Sequence, residues 1–313
     1  MKTIGILKHN RAGDPEDRIA FHARKMGWQT VQINPFELML PIRTTKGAFR
    51  EISSVISRCE IRGAQFREYD QYLRALGYFE SSNIPIINNA QSVINTQDKY
   101  RSHVLMVLNG IPTPISYLVH NKEQAFSLLE GGLIAFPLVL KDPYGSRGTA
   151  VFKIDDKEAL EGAFVSHFRR ISPLVQEFLH LETDTEGRVG DLRVWVVRGA
   201  KTEKPRFAGA YHRFAPDKSS ILTNLSTNDG GYGGPMGGHV SNLIRYSKKV
   251  LDALGADVLG VDVAKTTEGR LYVIEANITM DTTPEWREWA GVDIWKNVVE
   301  LAIARAVRMG ARD

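Results

Sequence analysis

Three oxygen-bearing side chains, Asp262, Glu275 and Asn277, fall in one stretch, Leu259 to Thr279. It reads as two strands, LGVDVAK and LYVIEAN, joined by the polar, Gly-containing TTEG. The two-residue period of a strand puts Glu275 and Asn277 on one face, and Asp262 on the partner strand can stand opposite that face. An apolar hairpin that turns two carboxylates and an amide to one side must pair them or hold a hard cation, because isolated buried charge is costly. Oxygen-only donors suit magnesium, which shares its shell with water and phosphate oxygens. A hairpin whose acids face solvent would carry the same residues.

Cations with a matching purpose lie upstream. The segment FPLVLKDPYGSRGTAVFKI is an apolar strand ending in Lys141, a loop containing Gly145, Ser146 and Gly148, and a second strand. Such a loop offers backbone N–H groups to a phosphate while the lysine supplies counter-charge. It lacks G-x-x-x-x-G-K-[ST] and leads into a strand, so it reads as a flap over phosphates and not as a Walker A loop, or else as an ordinary hairpin. Lys99 sits in the first turn of a helix that Thr96 or Asp98 can cap, where the macrodipole disfavours a cation unless an anion lies nearby. Gln176 and Glu177 interrupt the apolar strand PLVQEFLH, whose edge could meet an adenine. Asp191 and Arg193 share a face of GDLRVWVVRG, and Arg213 and Asn224 follow. His212 and His239 have no partner at metal or triad spacing.

The elements that must position these groups are read from the rest of the chain. At 313 residues it is longer than one average domain. A net charge of +4, from 40 basic against 36 acidic residues, is too even to indicate nucleic acid. Cys59 is the only cysteine, which excludes an intrachain disulfide or a cysteine-based zinc site and fits a reducing cytoplasm. No apolar run approaches the roughly 18 residues of a membrane span, and no secretion signal is read at the start. From residue 1 to about 94, strands such as TIGIL and TVQIN alternate with helix-like segments, which predicts a parallel α/β domain. The loop after the first strand has no G-x-G-x-x-G, so a dinucleotide is not expected there. The next helix is expected to end at Asn109-Gly110, with Val104, Leu105 and Leu108 as its apolar face, and another helix is expected from about Lys157 to Arg170.

Taken in order, DK at 98–99, GIPTP at 110–114, PLVLK…GSRG at 137–148, VQEF, DLRVWVV, TN at 223–224, GVD at 260–262 and EAN at 275–277 resemble the ATP-grasp ligases. More narrowly they resemble the RimK-type branch, which joins amino acids to peptide or protein carboxylates. The resemblance spans nearly the whole chain. It implies an α/β (α+β) fold with a pre-ATP-grasp domain at 1–94, a small lobe at 95–180 and a large lobe at 181–313. It also implies that Lys99 and Lys141 contact the phosphates of ATP and that Gly145, Ser146 and Gly148 form the flap. Glu177 and Phe178 would line the adenine, with Asp191 and Asn224 at the nucleotide. Asp262, Glu275 and Asn277 would hold two magnesium ions, a role manganese could share. Arg193 and Arg213 are the catalytic candidates, steadying an acyl phosphate or a substrate carboxylate.

The segment NITMDTTPEWREWAGVDI is similar to the LysX type, which ligates an amino acid to an acidic carrier protein, but its Pro-Glu-Trp departs from that pattern. Leu222 stands where an Arg is usual, and LETDTEGRVG is longer than usual. The expected activity is ADP-forming amide synthesis. The substrates would be an amino acid and a peptide, small carboxylate or acidic carrier protein, and the enzyme a cytoplasmic homo-oligomer without nucleic-acid or membrane partners. A non-catalytic nucleotide-binding module and a phosphotransferase are the other classes.

Overall fold

Apolar runs alternating with amphipathic segments at the start of the chain build a parallel sheet. The computed structural model describes residues 2–9, 13–38, 49, 51–59, 66–145, 150–223, 232–236 and 241–310. Within them β1 (Thr3–Leu7), α1 (Asp14–Lys25), β2 (Gln29–Ile33), β3 (Ile52–Ser57), α2 (Phe66–Ser81) and β4 (Ile86–Ile87) form a sheet of order β2-β1-β3-β4, every pairing parallel. β1 is buried along its whole length, as a strand covered on both faces must be. β3, whose ISSVIS is broken by serines, is a strand that the apolar pattern does not announce.

Two helices follow, α3 (Ala90–Gln97) and α4 (Lys99–Leu108), with Asp98 between them. The Asp98 carboxylate accepts from the Tyr100 and Arg101 N–H groups and caps α4. The predicted apolar face is corrected here, because Val104 and Leu108 point to solvent while Lys99, Ser102, His103 and Met106 turn inward. Those four also lie at helical spacing, and Lys99 and His103 find acceptors across the cleft that solvent-facing positions could not reach.

β5 (Ser116–Leu118), α5 (Lys122–Glu130), β6 (Leu138–Lys141), β7 (Val151–Ile154), α6 (Lys157–Ser166) and β8 (Leu174–Glu177) give an antiparallel sheet of order β5-β8-β6-β7. Its core joins Leu138, Leu140 and Val175 to Ala125, Leu160 and Phe164 of the two helices. Helix α6 stops at Ser166, four residues short of the predicted end.

The largest sheet, order β11-β10-β9-β12-β13, comes from β9 (Gly190–Arg198), β10 (Pro205–Phe214), β11 (Tyr232–Pro235), β12 (Val258–Lys265) and β13 (Leu271–Asn277). Helix α7 (Ser241–Ala253) covers one face, setting Leu243, Val250 and Leu251 on Val194, Val196, Val261 and Val263. On the opposite face Trp195, Val197 and Val258 pack on Trp295, Val298 and Ala302 of α9 (Ile294–Gly310). Each such side chain contributes roughly 1.5–3 kcal/mol of hydrophobic stabilisation. Between β13 and α9, helix α8 (Pro284–Ala290) rests on β10 and β11.

The parallel and the large antiparallel sheets are joined firmly. Helix α9 packs on β9 and also on α1, β3 and β4. Asn88 adopts the left-handed conformation at φ 62°, which asparagine tolerates. Its side chain accepts from the Asp257 and Val258 N–H groups and donates to the Val258 carbonyl.

Candidate active site

On the face that α9 covers lower down, side chains of alternate residues on β9, β10 and β12 become charged. Asp191 and Arg193 continue the row of Trp195 and Val197, Arg213 continues that of Tyr211, and Asp262 that of Val258. Asp262 and Glu275 are cross-strand partners, with a bulge just beyond them, and Asn277 donates to an Asp262 oxygen at 3.2 Å. The Arg193 fork grips Asp262 at 2.5 and 3.1 Å, and Arg213 approaches the same carboxylate at 3.0 Å. Gly260 makes room for this, since a Cβ there would stand 3.0 Å from an Arg193 guanidinium nitrogen. Arg213 also forks onto Asp191 at 2.8 and 2.5 Å, and the Thr223 hydroxyl donates to Asp191 at 2.8 Å. Burial works against the Arg213 charge, but Asp191 and Asp262 outweigh it and raise its pKa.

Two lysines face this charged row. Lys99 lies 3.2 Å from Glu275 and also donates to the Gly145 carbonyl, so the cation at a helix N-terminus is compensated by a carboxylate and a backbone oxygen. Lys141, at the end of β6, is buried and donates to Gln176 Oε1 at 3.1 Å. Burial pushes its pKa down to about 8, against the pull of Glu275 and with a smaller push from Lys99.

A cavity of about 420 Å³ between the 116–177 sheet and the large sheet gathers these groups. Its wall includes Lys99, Lys141, Gly145, Glu177, Phe178, Asp191, Arg193, Arg213, Asp262, Glu275 and Asn277, every predicted site residue within the described residues. Ser146, Gly148 and Asn224 lie outside them.

Across residues 96–302 the sequence matches the RimK-like ATP-grasp domain. The chain belongs to the RimK-like ATP-grasp family. This RimK-like chain is 25% identical over 230 residues to the coenzyme gamma-F420-2:alpha-L-glutamate ligase of Methanococcus maripaludis, covering 74% of each chain. It is 29% identical over 215 residues to mouse beta-citrylglutamate synthase B, covering 66% of this chain and 50% of that protein. In fold it is similar to the ATP-grasp ligase PsnB solved with minimal precursor, Mg and ADP. The TM-score is 0.69 at 13% identity, over 97% of each chain. The RimK-like chain is thus an ATP-dependent ligase.

Among the described residues no three His, Cys, Asp or Glu side chains cluster as a metal site. The candidate donors of the RimK-like chain are two carboxylates and an amide, an oxygen-only set on the cavity wall. That set fits magnesium sharing its shell with phosphate oxygens, and the arginines and Lys99 now balance its charge.

Several wall residues are not read as site residues from sequence. Gln176 is visible there as a polar break in an apolar strand and as part of VQEF, Thr223 only as the first residue of the TN pair, and Asp142 carries no signal. Leu222 lines the cavity with Leu179, Val189 and Ile221, so the position where the resemblance led to an arginine adds apolar surface here. The Glu177 carboxylate is engaged by the Ile115 N–H at 2.8 Å, tying β8 to the segment before β5. His212 lies in a separate crevice, stacked on Phe214, as its lack of partners in the sequence suggests.

Proposed function

We propose that the cavity takes ATP with its outer phosphates between Lys99, Lys141 and the Asp262–Glu275–Asn277 group, and that the enzyme forms an amide through an acyl phosphate. The observation that carries this is the convergence of both lysines, both arginines and the three oxygen donors on one cavity between two sheets. A substrate carboxylate oxygen attacks the γ-phosphorus and ADP leaves. The amine then attacks the acyl carbon, phosphate departs, and the nitrogen loses a proton. Magnesium held by Asp262, Glu275 and Asn277 would neutralise charge on the β and γ oxygens. Lys99 and Lys141 bring cationic charge to the same oxygens from the 99–177 side, which acts as a small lobe closing on the large sheet. Arg193 and Arg213 have donors fixed by Asp262 and Asp191, and their planar forks suit an acyl phosphate or a substrate carboxylate. Phe178 and the apolar wall from Leu179 to Leu222 would hold the base.

Glutamate is the amino acid we assign to one substrate position, since it appears in the names of both relatives described above. The other substrate is a small carboxylate, a peptide or an acidic carrier protein. The test is product analysis with ATP, magnesium and glutamate against a panel of carboxylates. ADP and inorganic phosphate should appear only when both substrates are present, and hydroxylamine should trap the carboxylate as a hydroxamate. Release of AMP, or a stable phosphate ester without amide, would overturn the reading.

A further inference from the structure

A row of buried and half-buried polar side chains that contributes no charge to the cavity runs behind Lys141. Lys141 Nζ donates to Gln176 Oε1 at 3.1 Å, and Gln176 Nε2 donates to Ser116 Oγ at 2.7 Å. Ser116 Oγ lies 3.4 Å from His103 Nδ1, and His103 Nε2 meets the Ile274 carbonyl at 3.0 Å. The row thus crosses from β6 through β8 and β5 to α4 and ends on β13, one residue before Glu275. We propose that Gln176, Ser116 and His103 are positioning residues that fix the Lys141 ammonium for the nucleotide phosphates and reference it to the strand carrying Glu275.

The direction of each bond follows from what its atoms can do. A carbonyl only accepts, so His103 Nε2 carries the proton. Burial, with Lys141 and Lys99 nearby, pushes the His103 pKa down to about 3, so the ring is neutral and Nδ1 is a bare acceptor. Ser116 has a single proton, offered to the Pro114 carbonyl at 2.9 Å or to Nδ1, and its lone pairs are left to receive the Gln176 amide N–H. With its NH₂ end claimed by Ser116, Gln176 must turn its carbonyl to Lys141. The flipped amide would set a donor against an ammonium that can only donate. His103 and Gln176 are each 4% exposed, so water cannot substitute for a missing partner cheaply.

The proposal rests on the nucleotide reading of the cavity, and a double-mutant cycle separates the two. The probe is AMPPNP with magnesium, its dissociation constant measured by calorimetry in the parent, Gln176→Met, Lys141→Met and the double variant. Lys141→Met should weaken binding about tenfold or more, and Gln176→Met about fivefold. In the Lys141→Met background Gln176→Met should change binding less than about twofold, because Gln176 acts only through the lysine. Gln176→Glu, which keeps the acceptor for Lys141 but loses the N–H given to Ser116, should recover only part of the binding lost in Gln176→Met. Ser116→Ala, a small change at a half-buried site, should weaken binding about threefold, with Ser116→Thr recovering it. If Lys141→Met leaves binding unchanged, the nucleotide reading falls and the relay with it. If Lys141→Met weakens binding while Gln176→Met costs the same in both backgrounds, or costs nothing in either, the relay alone is wrong.

Discussion

Lys141 is a lysine made responsive near neutral pH by its surroundings. Burial lowers its pKa to about 8, with Glu275 opposing and Lys99 assisting. An unfolded lysine keeps its proton up to about pH 10.4, so between those values the unfolded chain binds more protons and this group alone makes folding more favourable as pH rises. In the role proposed for Lys141, nucleotide binding has the opposite sign, because it uses the ammonium. AMPPNP affinity should therefore fall between pH 8 and 9 in the parent and stay flat across that interval in Lys141→Met. Asp262 poses a different case, as the shared acceptor of Arg193, Arg213 and Asn277. Asp262→Asn should reduce turnover roughly 100-fold or more, since a bound metal supplies several kcal/mol of charge stabilisation. Stability should fall by only about 1–3 kcal/mol, because Asp191 still holds Arg213. Normal ADP formation in a folded Asp262→Asn protein would remove this carboxylate from the site.

At the scale of elements, glycines decide how α8 sits. A Cβ on Gly209 would lie 2.6 Å from the Ala290 carbonyl oxygen, and one on Gly233 would lie 2.2 Å from the Trp289 ring. Gly209→Ala must push backbone aside, so it should cost about 1–3 kcal/mol and alter the fluorescence of Trp286 and Trp289. Gly162, in the exposed middle of α6, has nothing within 4 Å of a Cβ, and Gly162→Ala should raise stability by about 0.5–1 kcal/mol. Equal melting shifts for the two variants would contradict this. The same elements show what the sequence discloses. The hairpin of Asp262 and Glu275 is legible because the strand period fixes which side chains share a face, and Lys141 because it ends an apolar run. The inward face of α4 is not, because Val104, Val107 and Leu108 sit on the solvent side while Lys99 and His103 are drawn inward by partners distant in sequence, Gly145, Ile274 and Glu275. Gln176 is legible as an anomaly, but the role proposed for it depends on Ser116, sixty residues earlier.

For the whole molecule, the parallel sheet and the large sheet share α9 and the Asn88 junction, so they should unfold together. Calorimetry should show one transition joining them, which Asn88→Ala would lower by about 3 kcal/mol through lost buried bonds and a left-handed backbone that alanine resists. Two separated transitions in the parent protein would show the junction to be weak. Among the described residues no helix is long and apolar enough to cross a membrane.

The position of α9 at residues 294–310 matters for a chain that is made from its amino end. Ile4, Ile6 and Ile56 belong to the cluster filled by Trp295, Val298, Val299 and Ala302. The first sheet leaves the ribosome with only α1 and Trp28 on that face, and the rest of its cover, α9, begins about two hundred residues after β4. At about 5–20 residues per second the exposure lasts some tens of seconds. Nascent chains arrested before residue 294 should be captured by chaperones or cleaved by protease, and release of α9 from the exit tunnel should end that sensitivity.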